Sequence, residues 1–225
     1  MDTVALLATA LGGGARHAVN VYRQLRHLGL RIIPGGGVLH GGVYVVGKGT
    51  NSVVFKCVPE IGEVTLACKL RRADSTRPSL IREAQFLHLA NAAGVGPRLY
   101  AYSKDVVAYR YVDGVFITQW WKNAEPREKV GLVAELLNQA YALDKAGISH
   151  NELARLERHV LVEGERPVII DFESASLGGW RNVTQIVNGL VKLGLKPPVD
   201  ALRRYKQDPS ESNFRDVLQR LLTQF

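Results

Sequence analysis

Two short stretches hold side chains whose types and spacing could do chemistry. Val168-Ile169-Ile170-Asp171-Phe172-Glu173 is an apolar, β-branched run that ends in an acid, the pattern of a buried strand that delivers a carboxylate at its end. Upstream, His150-Asn151-Glu152-Leu153 follows the apolar turn Ala146-Gly147-Ile148 and carries a second acid, Glu152. Between them, His159-Val160-Leu161-Val162 and Glu163-Gly164-Glu165-Arg166 read as the first strand and turn of a hairpin that runs into Asp171. Two acids joined by one hairpin suit metal-assisted phosphoryl transfer, one binding Mg²⁺ and the other orienting the attacking hydroxyl. A purely structural pair fits the same spacing. The rest of the chain has to decide between them.

The elements that would position such a site lie on both sides of it. Residues 1–35 read as two helices broken by Gly12-Gly13-Gly14. The helix from Arg16 to Leu28 sets Arg16, Asn20, Arg23 and His27 along one stripe, with Val19, Tyr22 and Leu25 on another side. The cationic stripe reads either as a solvated face or as a nucleic-acid contact. Val43 to Phe55 is strand, small-residue loop, strand, and the glycines Gly47 and Gly49 let such a loop lie close over phosphates. No helix follows, so it is neither a Walker A nor a Rossmann turn. Lys69 stands inside the apolar strand Val64–Leu70 and needs an anionic partner. Glu83, on the apolar face of the helix that opens near Pro78, is the obvious one. Gly94-Val95-Gly96-Pro97 breaks the chain before the strands Leu99–Tyr102 and Val106–Val112, and Asp113-Gly114 marks a boundary. Trp120 and Trp121 read as core aromatics or as base-stacking platforms. Pro126 opens a long helix with Val133, Leu136, Leu137, Ala140 and Leu143 buried, ended by Gly147. After the hairpin come helices near 181–193, 199–206 and 212–223, with Lys196-Pro197-Pro198 as a breaker.

At 225 residues the chain is one large domain or two small lobes. Its net charge of +8 and pI near 9.6 favour polyanionic partners, and arginine outnumbers lysine nearly two to one. Cys57 and Cys68 lie in no metal-binding spacing. Opposite each other in a hairpin they could bridge, which is unusual in a cytosol outside hyperthermophiles. The scarcity of Met fits a heat-adapted source. The apolar start Val4–Leu11 follows Asp2 rather than a basic region and is too short to span a bilayer. It reads as a core helix of a cytoplasmic protein with no membrane partner.

In this order the pieces resemble the protein-kinase-like fold in its minimal form, that of the RIO-type and Bud-type atypical kinases. Gly47-Lys48-Gly49-Thr50-Asn51-Ser52 resembles the glycine-rich loop, Ala67-Cys68-Lys69 the Val-Ala-Ile-Lys lysine, and Glu83 the glutamate that pairs with it. Tyr109-Arg110-Tyr111-Val112-Asp113-Gly114 resembles the hinge, with the Arg110 and Val112 backbone facing adenine. Asp171-Phe172-Glu173 resembles Asp-Phe-Gly, with Asp171 as Mg²⁺ ligand. The implied architecture is α+β and two-lobed: a helical extension over 1–35, an N-lobe over 36–113 and a reduced helical C-lobe over 114–225.

The chain departs from the larger family at the catalytic loop, His150-Asn151-Glu152-Leu153-Ala154-Arg155-Leu156-Glu157-Arg158-His159. Glu152 replaces the catalytic Asp and, with His150, Lys69 and Asp171, makes up the expected catalytic set, while His159 stands where a metal-binding Asn is usual. The metal set then comprises Asp171 and His159, and since imidazole is a poor Mg²⁺ ligand, Glu157, Glu152 or Asn151 could complete it. Only a few residues separate Asp171 from the next helix and no Ala-Pro-Glu follows, so the platform that holds a peptide is missing. With Arg155, Arg158 and Arg181 around the site and Arg16 and Arg23 on the early helix, an RNA acceptor is expected. The chain is most similar to the archaeal RNA kinase family, which implies ATP and Mg²⁺ as cofactors and a ribose 2′-hydroxyl of a tRNA variable-loop nucleotide as acceptor. Two alternatives stay open: a RIO- or Bud-like Ser/Thr protein kinase or ATPase, and a catalytically dead RNA-binding adaptor.

Overall fold

In the computed structural model, which describes residues 2–225, the chain is a mixed α/β protein with an antiparallel sheet and, among the described residues, nine helices. It divides into two compact units. One takes the chain up to Gln85 together with Arg98–Tyr111, the other Phe86–Pro97 together with Val112–Phe225.

The first unit begins with helices α1 (Thr3–Leu11) and α2 (Gly14–His27). Gly13 in their connection has a left-handed backbone, and a Cβ there would meet that of Ala73 at 2.3 Å, so only glycine fits. Strands β1 (Leu30–Ile33), β2 (Val38–His40), β3 (Val43–Val45), β4 (Gly47–Lys48), β5 (Ser52–Pro59) and β6 (Leu66–Arg71) follow. Helix α3 (Ile81–Ala92) contributes its first turn to this unit, and β7 (Leu99–Tyr102) and β8 (Val106–Arg110) complete it. The sheet order is β1-β5-β6-β8-β7, antiparallel throughout, with β4 also on β5. The first 35 residues, expected as a helical extension, contain the edge strand β1 as well as the two helices. Leu7, Leu11 and Leu25 share one buried cluster with Val53, Phe55 and Leu70.

The two-residue period of β6 sorts its side chains. Cys68 and Leu70 face the cluster under α1 and α2. Lys69 faces the other way, beside its cross-strand partner Val107, which packs with Leu80 and Ala84 at the start of α3. Cys57 and Cys68 form a disulfide. They sit diagonally on β5 and β6, Cys57 opposite Leu66 and Cys68 opposite Phe55, and both are fully buried. A bridge closing so short a loop stabilises by about 2–4 kcal/mol, chiefly through the unfolded chain. The Cys57→Ala/Cys68→Ala variant is therefore expected to unfold at correspondingly lower denaturant, read by urea titration.

The second unit comprises β9 (Val115–Phe116), α4 (Ile117–Asn123), α5 (Pro126–Lys145), β10 (Ile148–Ser149), α6 (Leu156–His159), β11 (Val160–Glu163), β12 (Arg166–Ile169), β13 (Ser176–Leu177), α7 (Asn182–Val191), α8 (Val199–Gln207) and α9 (Glu211–Leu222). Helix α5 starts with Pro126 at its first position and a reciprocal cap between Glu125 and Glu128. Its stripe Val133, Leu136, Leu137, Ala140 and Leu143 is fully buried. The hairpin β11–β12 pairs Val160 with Ile169 and has β9 on its other edge, while β10 pairs with β13. Trp120 and Trp121, on α4, are half-buried and give their indole N–H groups to the carbonyls of Gly164 and Leu193. No helix among the described residues is long and apolar enough to cross a membrane.

Candidate functional site

In the first unit, the strand period and the helix period bring the two buried charges together. Lys69 Nζ donates to Glu83 Oε1 at 2.8 Å, with the side chains only 7% and 5% exposed. Ahead of them, Gly49 N–H bonds the Ser52 carbonyl and closes a tight turn with Thr50 and Asn51 at its tip. That turn is tied down from behind. The Asn51 side-chain oxygen accepts from Ser75 Oγ and from the backbone and hydroxyl of Thr76, and the Asn51 carbonyl accepts from Arg72 N–H. Lys48 is exposed. In the expected hinge, Arg110 N–H is used by the Arg98 carbonyl, and Val112 is buried in the second unit.

The early helix divides its stripe. Arg16 and Arg23 are exposed and line an open cleft of about 690 Å³. Asn20, between them, donates to Asp105, as do Gln24 and Arg71. Asp105 is fully buried. Burial pushes its carboxyl up, but the Gln24 and Arg71 hydrogen bonds outweigh this and hold it below the usual carboxylate range. Sequence reasoning passed over Asp105, although an acid directly before the apolar run of β8 signals one.

In the second unit, the strand into Asp171 does what its β-branched run predicts. Ile170 N–H bonds the His159 carbonyl and prolongs the hairpin. At Asp171 the backbone turns left-handed, with φ 68°, and Asn151 has φ 74°. Among the described residues these are the non-glycine positions with positive φ. Such a conformation costs roughly 1–2 kcal/mol, is least costly for Asn and Asp, and clusters at functional sites. Asn151 is held there by hydrogen bonds from its amide to the Ser174 carbonyl and Ser176 Oγ. Glu152 is one quarter exposed and pairs with Arg155 at 3.1 Å, and Arg158 is exposed on α6.

His150 is fully buried. Its Nε2 lies 3.0 Å from the Ile170 carbonyl, which only accepts, so the proton sits on Nε2. Its ring meets those of Phe172 and His159 edge-on. Burial lowers its pKa from 6.5 to about 4, and the imidazole is neutral at pH 7. An unfolded His150 takes up a proton below pH 6.5 while the folded one resists to about pH 4. Stability is thus full above pH 6.5 and falls as pH drops through that window, by on the order of 3 kcal/mol. Urea unfolding at pH 7 and at pH 4.5 reads this loss, and His150→Gln is expected to flatten it.

The expected metal set is not brought together as a group. Residues two apart on one helical turn point about 200° away from each other, so Glu157 and His159 on α6 diverge. His159 is buried, its Nδ1 3.9 Å from Asp171 Oδ2. Glu173 instead brings a carboxylate oxygen within 4.8 Å of one from Asp171. Two oxygen donors suit a hard cation that keeps most of its waters, as Mg²⁺ does.

The loop that carries Glu152 hangs on a buried polar network that the sequence reading missed. Asp144, 2% exposed, accepts from Asn182 N–H and Nδ2, Val183 N–H and Tyr205 Oη, so it caps α7 from a distance. Burial raises its pKa despite these bonds. Asn182 in turn accepts His150 N–H and donates to the Ile148 carbonyl. Gln185 Oε1 accepts Leu153 N–H. The signal for Asp144 lay in its register, since it follows Leu137 and Ala140 at i+7 and i+4 on the buried stripe of α5. Arg181, exposed, immediately precedes this network.

Compared with known proteins, the chain matches no family model and no curated protein.

Proposed function

We propose that the protein is an ATP-dependent RNA kinase of the minimal RIO-like kind, its two units serving as N-lobe and reduced C-lobe, which transfers the γ-phosphate of ATP to a ribose 2′-hydroxyl of tRNA. The buried Lys69–Glu83 ion pair carries this reading. Such a pair adds little net stability over an apolar pair of the same volume, so its value lies in presenting a fixed ammonium to an anion.

ATP with Mg²⁺ supplies the transferable phosphoryl group and the counter-charge for it. Lys69, oriented by Glu83, holds the α- and β-phosphates, and the turn of Gly47, Lys48, Gly49, Thr50, Asn51 and Ser52 covers them. Asp171 holds the metal ion, with Glu173 as the nearby oxygen donor in place of His159 or Glu157. Glu152 accepts the hydrogen bond of the acceptor hydroxyl and aligns its oxygen. Arg155, which pairs with Glu152, and Arg158 neutralise charge on the transferring group. His150 stays neutral and serves by holding the strand end through Ile170.

The test is incubation with γ-labelled ATP, Mg²⁺ and an unmodified tRNA transcript, beside a generic protein substrate. Label is expected in tRNA and severely reduced by Lys69→Ala. Label in protein alone supports a Ser/Thr protein kinase instead. Label in neither, with no ATP binding by calorimetry, leaves an RNA-binding adaptor.

A further inference from the structure

Within the second unit, Gly179, Trp180, Arg181, Thr184, Gln185 and Lys206 line a cleft of about 580 Å³. We infer that this cleft binds one nucleotide of a single-stranded or looped RNA, its base stacked on Trp180 and its phosphate between Arg181 and Lys206. For its partner class the inference rests on the RNA-acceptor reading, but binding here needs no phosphate transfer.

Two observations support it. Trp180 is 51% exposed, whereas Trp120 and Trp121 are half-buried with their indole N–H groups bonded. An exposed indole beside cations is what a sequence-tolerant base platform needs. Arg181 and Lys206 are both exposed, and among the described residues no carboxylate pairs with either. An acidic peptide would satisfy the cations but would leave the indole face without a stacking partner.

The backbone on either side of Trp180 is pinned by hydrogen bonds. Ser149 Oγ donates to the Gly178 carbonyl at 2.7 Å, and Gly178 N–H bonds the Gly147 carbonyl. Gly179 has φ 84°, and a Cβ there would approach Ser149 Oγ to 3.1 Å, so the chain reaches Trp180 through a turn that glycine makes possible. On the far side, Asn182 N–H is fixed by Asp144. A backbone pinned on both sides of Trp180 limits the freedom lost when a base stacks on the indole.

The cleft is joined to the proposed chemistry by one side chain. Gln185 lines it and holds Leu153 N–H at 2.8 Å, directly after Glu152. A nucleotide seated here is anchored by the same residue that fixes the loop meant to orient the acceptor hydroxyl. The cleft thus assigns the RNA a docking position on the C-terminal unit itself.

The experiment is a fluorescence titration with a ten-nucleotide oligouridylate in the Trp120→Phe/Trp121→Phe background, which leaves Trp180 as reporter. Stacking is expected to quench the indole emission. In fluorescein-labelled oligonucleotide binding, Trp180→Ala and Lys206→Glu are each expected to weaken affinity about five- to a hundred-fold. Circular dichroism checks that both variants fold, as their surface positions predict. Unchanged affinity in both variants, or an unquenched Trp180, overturns the assignment. So does equal competition by polyglutamate, which would mark a site for acidic protein. Oligonucleotide binding without label transfer to tRNA keeps the cleft and removes the RNA-kinase reading; transfer without Trp180-dependent binding does the reverse.

Discussion

Asp171→Asn is expected to cut phosphate transfer by about a thousand-fold or more while the protein stays folded. The substitution isolates charge. Asn has the same shape, and after glycine it is among the residues that best tolerate the left-handed backbone seen at φ 68°. What is lost is a carboxylate oxygen, replaced by a neutral carbonyl that holds a hard cation more weakly. Single-turnover transfer from labelled ATP reads the effect, and a thermal melt beside it separates chemistry from folding. Near-wild-type transfer by Asp171→Asn would sink the kinase assignment. Asp171→Val would be a poorer test, because a β-branched residue adds backbone strain at positive φ.

Asp144→Ala is expected to cost about 3–5 kcal/mol in stability, because it strands several buried donors at roughly 1–3 kcal/mol each. Four donors converge on this carboxylate: Asn182 N–H and Nδ2, Val183 N–H and Tyr205 Oη. Truncation leaves Asn182 N–H, Val183 N–H and Tyr205 Oη without their acceptor, while Asn182 Nδ2 keeps the Ile148 carbonyl. Tyr205→Phe, which keeps the ring and removes one bond, is expected to cost only about 1–2 kcal/mol. Urea unfolding of both variants gives the ratio. If Asp144→Ala costs no more than Tyr205→Phe, the carboxylate does not organise the network. Because Asn182 also holds His150 N–H and the Ile148 carbonyl, hydrogen exchange should rise in the 148–153 loop of Asp144→Ala before the unit unfolds.

The elements were legible wherever one short-range period dominated. Helix α5 carries its expected stripe because five apolar residues recur at helical spacing and nothing competes with them. The Lys69–Glu83 pair was legible for a different reason: two charges on apolar faces each require a partner. Helix α2 shows where this stops. Its expected apolar side was Val19, Tyr22 and Leu25, and the structure buries Ala18, Val21 and Leu25. The sheet beneath α2 chose that face. The same packing turned Asn20, expected among outward-facing cations, toward Asp105.

The sequence by itself determined the hairpin that ends in Asp171, the α5 stripe and the need of Lys69 for an acid, since each follows from the nature and spacing of near neighbours. Only the tertiary structure decided that Cys57 and Cys68 bridge, that Glu173 rather than Glu157 stands beside Asp171, and that Asp144, Asn182 and Tyr205 form one network. Strand register sets the disulfide, the turn of α6 directs Glu157, and the network joins residues far apart in the chain. Their partners are selected by burial and by the demand that every buried polar group find a hydrogen bond, conditions that exist only once the chain has closed on itself.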